Sequence, residues 1–374
     1  MTIEDTHFEF STTPGVVIKK LKIKDDIEFD QVALRFTWRH VAQAFQNSRI
    51  SWAEVVVGPS KMSILQGHDL MQLMARLDRA LPADIAAVHF TDLQFPDQPW
   101  LKGNWKLDLT RDRNGSFRSA TAAQTAGRGS VEVELTPESP EVVDFNFKSF
   151  QWPLPFAIRT PIESVEAEGK ISYAELEVSN YSLSGPFGEI HGKVSGTADG
   201  GWKLGGILAT DGVDVDSFLR VIAPPEKKED ASGAEIPSLI QGLASAVGQL
   251  SGKGADLQEA AENTVLTAKF DVRNAVLNGI NLGFIATNPD ANPEAGGGTT
   301  RFTKMDGALV VGGGKTTLRE FHARAGALVA SGQVEIADNN RIEGLLHVDL
   351  GSTRVLAPIR VRLHGTLNEA KFGR

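Results

Sequence analysis

The sequence predicts a mainly β protein, an antiparallel sheet of roughly twenty short strands with a few short helices. Three observations lead there. Apolar side chains recur at every second position along most of the chain, which puts them on one face of an extended backbone and leaves a polar face opposite. Glycine supplies 37 of the 374 residues and, with Asn, Asp and Pro, separates the alternating segments as turns would. Apolar residues at helical spacing are confined to a few short stretches. One-sided strands point to antiparallel pairing, because a parallel α/β sheet covered on both faces would show uniformly apolar runs.

Taken in order, Val32, Leu34 and Phe36 alternate with Gln31, Ala33 and Arg35. A short helix is expected over 41–45, after Trp38-Arg-His. A longer one is expected over 69–81: Asp69 can cap it, Leu70, Leu73, Met74, Leu77 and Leu81 share one face, and Pro82 stops it. Strands resume at Trp105, Leu107 and Leu109, then at Val131, Val133 and Leu135, and at Val143, Phe145 and Phe147. Leu176 and Val178 alternate with Glu175, Glu177 and Ser179. The stretch Pro224-Pro-Glu-Lys-Lys-Glu-Asp-Ala-Ser-Gly-Ala-Glu235 is charged and small, as a solvated loop would be. After it, Leu239, Ile240, Leu243, Val247 and Leu250 fit a weak helix interrupted by Gly242 and Gly248. Leu266, Ala268, Phe270 and Val272 restart the alternation. The tail carries it most clearly, with Ile342, Gly344, Leu346, Val348 and Leu350 on one face, then Ile359, Val361, Leu363, Gly365 and Leu367. This divides the chain into a β region over 1–219, a polar loop plus weak helix over 220–262, and a second β region over 263–374.

Several chemistries are excluded by composition and spacing. The net charge of −9 disfavours general nucleic-acid binding. The absence of Cys removes disulfides, thiolate metal sites and cysteine nucleophiles. Gly312-Gly-Gly-Lys-Thr-Thr317 lacks the glycine a phosphate loop needs at position 309, which is Leu, and continues as strand rather than helix, so it reads as a hairpin turn. Ser195 in Gly192-Lys-Val-Ser-Gly sits one place too late for a nucleophile elbow. The eight His are scattered, without the i, i+2 or i, i+4 pairs of a metal site. Carboxylates such as Glu132 and Glu134 follow the polar strand face. No catalytic residue, metal or cofactor is assigned, and an enzyme is not expected.

What the alternation does demand is a cover for the apolar face. Two sheets can pack as a sandwich. A membrane barrel can turn the face to lipid, but the chain has only 2 Tyr and 6 Trp for the aromatic girdles. A sheet can also curl into a trough that holds an apolar guest. Alternation alone leaves sandwich and trough open.

Several stretches bear on that choice. They are Pro14-Gly-Val-Val-Ile-Lys-Lys-Leu-Lys-Ile, Val32-Ala-Leu-Arg-Phe-Thr-Trp-Arg-His-Val-Ala-Gln-Ala-Phe and Ile50-Ser-Trp-Ala-Glu-Val-Val-Val near the start. In the middle stands Gly185-Pro-Phe-Gly-Glu-Ile-His-Gly-Lys-Val-Ser-Gly, leading into Gly201-Trp-Lys-Leu-Gly-Gly. Later come Phe270-Asp-Val-Arg-Asn-Ala-Val-Leu-Asn-Gly-Ile-Asn-Leu, Met305-Asp-Gly-Ala-Leu-Val-Val, Leu328-Val-Ala-Ser-Gly-Gln-Val-Glu-Ile and Ile359-Arg-Val-Arg-Leu-His-Gly-Thr-Leu. In this order they resemble the AsmA-like family, relatives of the bacterial repeating-β-groove lipid-bridge proteins. The resemblance implies an elongated, curved, U-shaped β-groove in the periplasm. It would pass phospholipid between inner and outer membranes and support outer-membrane biogenesis.

Phospholipid acyl chains would then be the partner. The candidate lining is Val32, Leu34, Phe36, Trp105, Leu107, Leu109, Val143, Phe145, Phe147, Phe270, Val272, Leu346, Val348, Val361 and Leu363, each of which ordinary core packing would also explain. The helix over 69–81 would cap one end, being too short to span a bilayer. Family members begin with a membrane-anchoring helix. Here Met1-Thr-Ile-Glu-Asp-Thr-His-Phe opens without the basic and apolar regions of a signal peptide, so membrane contact is expected through an anchor outside this chain. The alternative from another class is an envelope scaffold or assembly factor, without enzymatic activity, that binds proteins through exposed strand edges.

Overall fold

The structure, a computed structural model, describes residues 5–9, 15–23, 27–36, 54–62, 85–95, 103–112, 116–126, 129–139, 141–151, 162–222, 238–288, 297–337, 339–351, 358–367 and 369–373. Within them the fold is mainly β, as the alternation requires: 22 strands in one sheet, antiparallel with a single parallel step, and three short helices. The helices expected over 41–45 and 69–81 lie outside the described residues. By contacts the chain divides into two compact units, Met1–Pro155 with Glu166–Tyr173, and Phe156–Val165 with Ala174–Arg374.

The first unit holds β1 (Asp5–Glu9), β2 (Gly15–Ile23), β3 (Ile27–Arg35), β4 (Glu54–Met62) and β5 (Ala87–Gln94). It continues with β6 (Trp105–Arg111), β7 (Phe117–Ala126), β8 (Gly129–Pro137), β9 (Val142–Phe150) and most of β10 (Ser164–Ser172). Neighbours in sequence pair antiparallel, except that β4 and β5 run parallel, with Val55 opposite Val88 and Val57 opposite Phe90. A parallel pair needs a crossover longer than a hairpin, and residues 63–86 supply that length. The apolar face stays in register through the parallel step. Leu34, Val55, Val88, Leu109 and Ala120 form one cross-strand row, and Val32, Val57, Phe90 and Leu107 form the next. These rows are the buried core of the unit. Arg111 is buried at its margin, donating from Nη1 to the Ile85 carbonyl at 3.3 Å and lying 5.8 Å from the Phe117 ring centroid.

The second unit is an up-and-down meander. It runs β11 (Glu175–Gly185), β12 (Gly188–Ala198), β13 (Trp202–Asp214), α1 (Val215–Ile222), β14 (Ile240–Gly254), α2 (Leu257–Glu262), β15 (Val265–Asn278) and α3 (Leu282–Thr287). It closes with β16 (Thr299–Arg301), β17 (Lys304–Gly312), β18 (Lys315–Ala325), β19 (Leu328–Ala337), β20 (Arg341–Leu350), β21 (Ile359–Thr366) and β22 (Ala370–Gly373). Gly313 and Gly314 both have positive φ, 60° and 70°, between the paired ends Gly312 and Lys315. This is the two-residue hairpin expected in place of a phosphate loop.

One expectation is overturned. Residues 240–254, read as part of a weak helix, are a 15-residue strand paired on both sides. Its apolar residues Leu243, Val247 and Leu250 fall at helical spacing because Leu243 and Val247 stand on the exposed face of the strand, while Leu250 stands on the other face with Ala244, Ala246 and Gly248. The glycines that weaken a helix fit here because Gly248 lies under neighbouring side chains: a Cβ on it would come within 2.8 Å of the Leu266 side chain.

The sheet of the second unit rolls up at its C-terminal part. Laid flat, the six spacings from β15 to β22 would separate those strands by about 29 Å. Instead a Cβ on Gly279, the residue after β15, would lie 3.5 Å from the ring of Phe372 in β22. Helix α3 fills the roll. Leu282 and Ile285 have no exposed surface and share one core with Leu346, Val348, Val361, Leu363 and Phe372. The lead-in to the helix is pinned by buried Thr300, whose hydroxyl accepts from the Leu282 amide and donates to the Ile280 carbonyl, both at 2.8 Å.

Candidate functional site: an open apolar trough

In the second unit the same sheet face that closes around α3 is only partly buried further back, over β11–β15. Registers define it. Val178, Val194, Gly206, Leu250 and Leu266 form one row across five strands, while Tyr181, Gly192, Leu208, Gly248 and Ala268 form the next. Leu176 and Leu204 extend the face on one side of these rows, and Leu183 and Ile190 on the other. Val178, Leu183, Val194, Leu204, Leu208, Leu250 and Leu266 are only partly buried, and none belongs to a buried cluster of the described residues. A flat sheet face would leave such residues mostly exposed. Some of these side chains lie across glycine positions of the neighbouring strand. A Cβ on Gly196 would meet Leu204, and one on Gly206 would meet Val194.

Two helices flank this floor from opposite strand ends. At the start of β12 and end of β13, α1 packs Val221 and Phe218 onto Phe187, Val213 and Ile190, with the Phe187 and Phe218 rings edge to face at 5.5 Å. At the other end α2 lies directly on β14: a Cβ on Gly252 would be 2.3 Å from the Ala260 carbonyl oxygen. Asp256 caps α2 by accepting from the Glu259 amide at 2.8 Å, and Glu259 in turn accepts from the Ala255 amide at 2.6 Å. From Leu204 to Thr210, about 20 Å of β13 lies between the two helices.

Polar features are few on this face. Tyr181, at the bulge of β11, is half-buried, and its hydroxyl makes no hydrogen bond among the described residues. Desolvation by burial holds its phenol above the usual pKa of 10.0. At the α1 end Asp216 is drawn two ways. Burial alone would raise its pKa, but the Ser238 amide and the Arg220 guanidinium, each 3.2 Å away, outweigh it and hold the carboxyl below its usual 3.8. Among the described residues no group of three or more His, Asp or Glu could hold a metal ion, and no helix is long and apolar enough to cross a membrane.

The residues singled out from the sequence fall into three places. Val32, Trp105, Leu107 and Leu109 are buried in the core of the first unit, which Leu34 and Phe147 flank. Val143 is buried nearby, Phe36 follows β3 half-buried, and Phe145 is half-buried on β9 opposite Leu135. Val272, Leu346, Val348, Val361 and Leu363 are buried in the roll around α3, and Phe270 is half-buried at its margin. The trough floor itself is formed mostly by residues not singled out: Val178, Val194, Leu204, Leu208, Leu250 and Leu266. Their signal was the alternation at Leu176/Val178 and at Leu266/Ala268; on β12 to β14 it is hidden where glycine occupies the apolar-face positions. Ser195 lies exposed in mid-strand on β12, as read from the sequence.

No family model, no curated protein and no solved structure matches this chain.

Proposed function

We propose that the protein is an AsmA-like, non-enzymatic lipid carrier that holds phospholipid acyl chains on the open face of β11–β15 and passes them between membranes of a bacterial envelope. The observation that carries this reading is the contrast within one sheet face: sealed by α3 at one end, and left partly exposed between α1 and α2 at the other. An acyl chain of about sixteen carbons gains on the order of 10 kcal/mol by leaving water, before ordering costs, at ~0.8 kcal/mol per methylene. The floor supplies the contact, and head groups remain in solvent at the open side. Periplasmic location and a role in outer-membrane biogenesis belong to the same reading and rest on the sequence resemblance.

Native mass spectrometry of the purified chain tests it. Phospholipid adducts are expected on the wild type and should be lost in Leu208→Arg with the circular dichroism spectrum unchanged. A lipid-free wild type that also fails to take up phospholipid from vesicles overturns the proposal. A second reading, an envelope scaffold, draws on the reverse face, where Val247 and Ile207 are 67% and 52% exposed. It expects Val247→Asp to abolish a protein contact while lipid uptake is unaffected, a result read by cross-linking.

A further inference from the structure

The outward face of the rolled end carries a charge pattern that the trough does not use. Residues 315–374 hold nine Lys and Arg against six Asp and Glu, in a chain whose net charge is −9. The strands bring four of those cations onto three successive rows of one outer face of β18–β21. On the outer face, Leu345 lies opposite Arg362 on one side and Gln333 on the other, and Gln333 faces the bulge of β18 that bears Arg319. One row along, His347 lies between Arg360 and Ser331, and in the row after it Arg324 faces Val329, which has Asp349 on its other side. All four Arg side chains are exposed, and none makes an ion pair among the described residues.

The acids at the margin are largely engaged elsewhere. Asp306 pairs with Lys304 at 3.3 Å, Glu335 with Lys315 at 2.6 Å and Glu343 with Arg341 at 2.7 Å. Glu320 and Asp349 stand beside the patch, leaving four guanidiniums against two carboxylates. The outer face of β8–β10 in the first unit is the reverse, with exposed Glu132, Glu134, Glu166 and Glu168. At the centre of the cationic patch Leu345 is 41% exposed.

We propose that this face of β18–β21 docks on the surface of an anionic phospholipid bilayer. The four Arg meet head-group phosphates and Leu345 enters the interface between them. Guanidinium groups match phosphate oxygens as paired donors. An apolar side chain framed by cations suits a surface that is charged outside and apolar beneath, whereas a nucleic acid or an acidic peptide offers Leu345 nothing comparable. The proposal goes beyond lipid carriage and does not depend on it, because none of these residues lies on the trough face.

Co-sedimentation of the full chain with vesicles tests it. The chain should bind vesicles of phosphatidylglycerol and not those of phosphatidylcholine, and added salt should weaken the binding. Each guanidinium near an anionic surface is worth roughly fivefold in affinity, about 1 kcal/mol, so R360E/R362E should lower binding roughly 25-fold or more. Leu345→Ser should weaken it with the charge intact. If R360E/R362E fails to fold, R319Q/R324Q makes the same test with a smaller expected loss. Equal binding to both vesicles, or folded variants that bind like the wild type, overturn the proposal. Lipid adducts by mass spectrometry should be unchanged in these variants, so failure here and failure of the carrier reading are told apart.

Discussion

Leu208 and Val348 are both apolar, both lie on β-strands, and both point to the same face of one meander. Val348 is 1% exposed against the packed roll, while Leu208 is partly open beside Gly192 and Gly248. Arginine should therefore have opposite consequences at the two sites. At Val348 a charge would be buried without a partner, and the second unit should lose about 4 kcal/mol or more, read by chemical denaturation. At Leu208 the long side chain can reach water, and only lipid uptake should fall. Tyr181 makes a finer test. Its phenol is held protonated by burial, so the stability associated with it is complete below the usual pKa of 10.0 and declines as pH rises through the higher folded-state value. Ultraviolet titration of the wild type minus that of Tyr181→Phe should show a phenol titrating above the usual 10.0, and lipid should delay it further; a difference curve centred at or below 10.0 would contradict the site's apolar character.

At the scale of elements, the two helices bordering the trough are held by different means. Helix α2 depends on close approach, and Gly252 leaves room for the Ala260 carbonyl. Gly252→Val should cost about 1–3 kcal/mol and raise hydrogen exchange in 257–262, because the added carbons have no space. Helix α1 depends on Asp216, which joins Arg220 on the next turn to the Ser238 amide at the head of β14. With its pKa depressed, that carboxylate stabilises fully above pH 3.8 and loses the contribution as pH falls through its lower folded-state value. Asp216→Asn should thus be less stable than the wild type near neutral pH and indistinguishable from it in strong acid, as followed by acid unfolding.

Strand alternation was legible wherever large apolar residues occupy every second position, as at Trp105, Leu107 and Leu109. It failed on β14, where Ala244, Ala246, Gly248 and Gly252 take inner positions and the large residues Leu243 and Val247 stand on the outer face, at helical spacing from Leu250 on the inner one. Helices α1, α2 and α3 were all missed because eight, six and six residues carry too little periodicity to read.

Over the molecule as a whole, period two places a residue on a face but does not say whether the face is covered. That is decided by curvature and by what lies across the sheet. Val361 and Val194 alternate identically, and only the return of β22 toward Gly279 makes one of them core. This is why strands were legible and the lining was not: contacts between residues about ninety positions apart leave no local mark. The same contrast should appear in exchange kinetics. Within the second unit, amides of β18–β21 should exchange more slowly than those of β11–β13, whose apolar face is only partly buried, and phospholipid should slow the latter group alone. Equal protection in the lipid-free chain would mean that the open face is packed in solution.

The plug at the rolled end has a consequence for biosynthesis. A ribosome delivers Leu282, Ile285 and Ala286 well before the strands over 341–373 that cover them. Until those last strands emerge, a hydrophobic helix waits beside a half-built sheet, a natural client for a holdase chaperone. Termination of translation before β20 would leave that helix permanently bare, so shortened products should be sticky and rapidly degraded even though most of the hairpins upstream of them are complete.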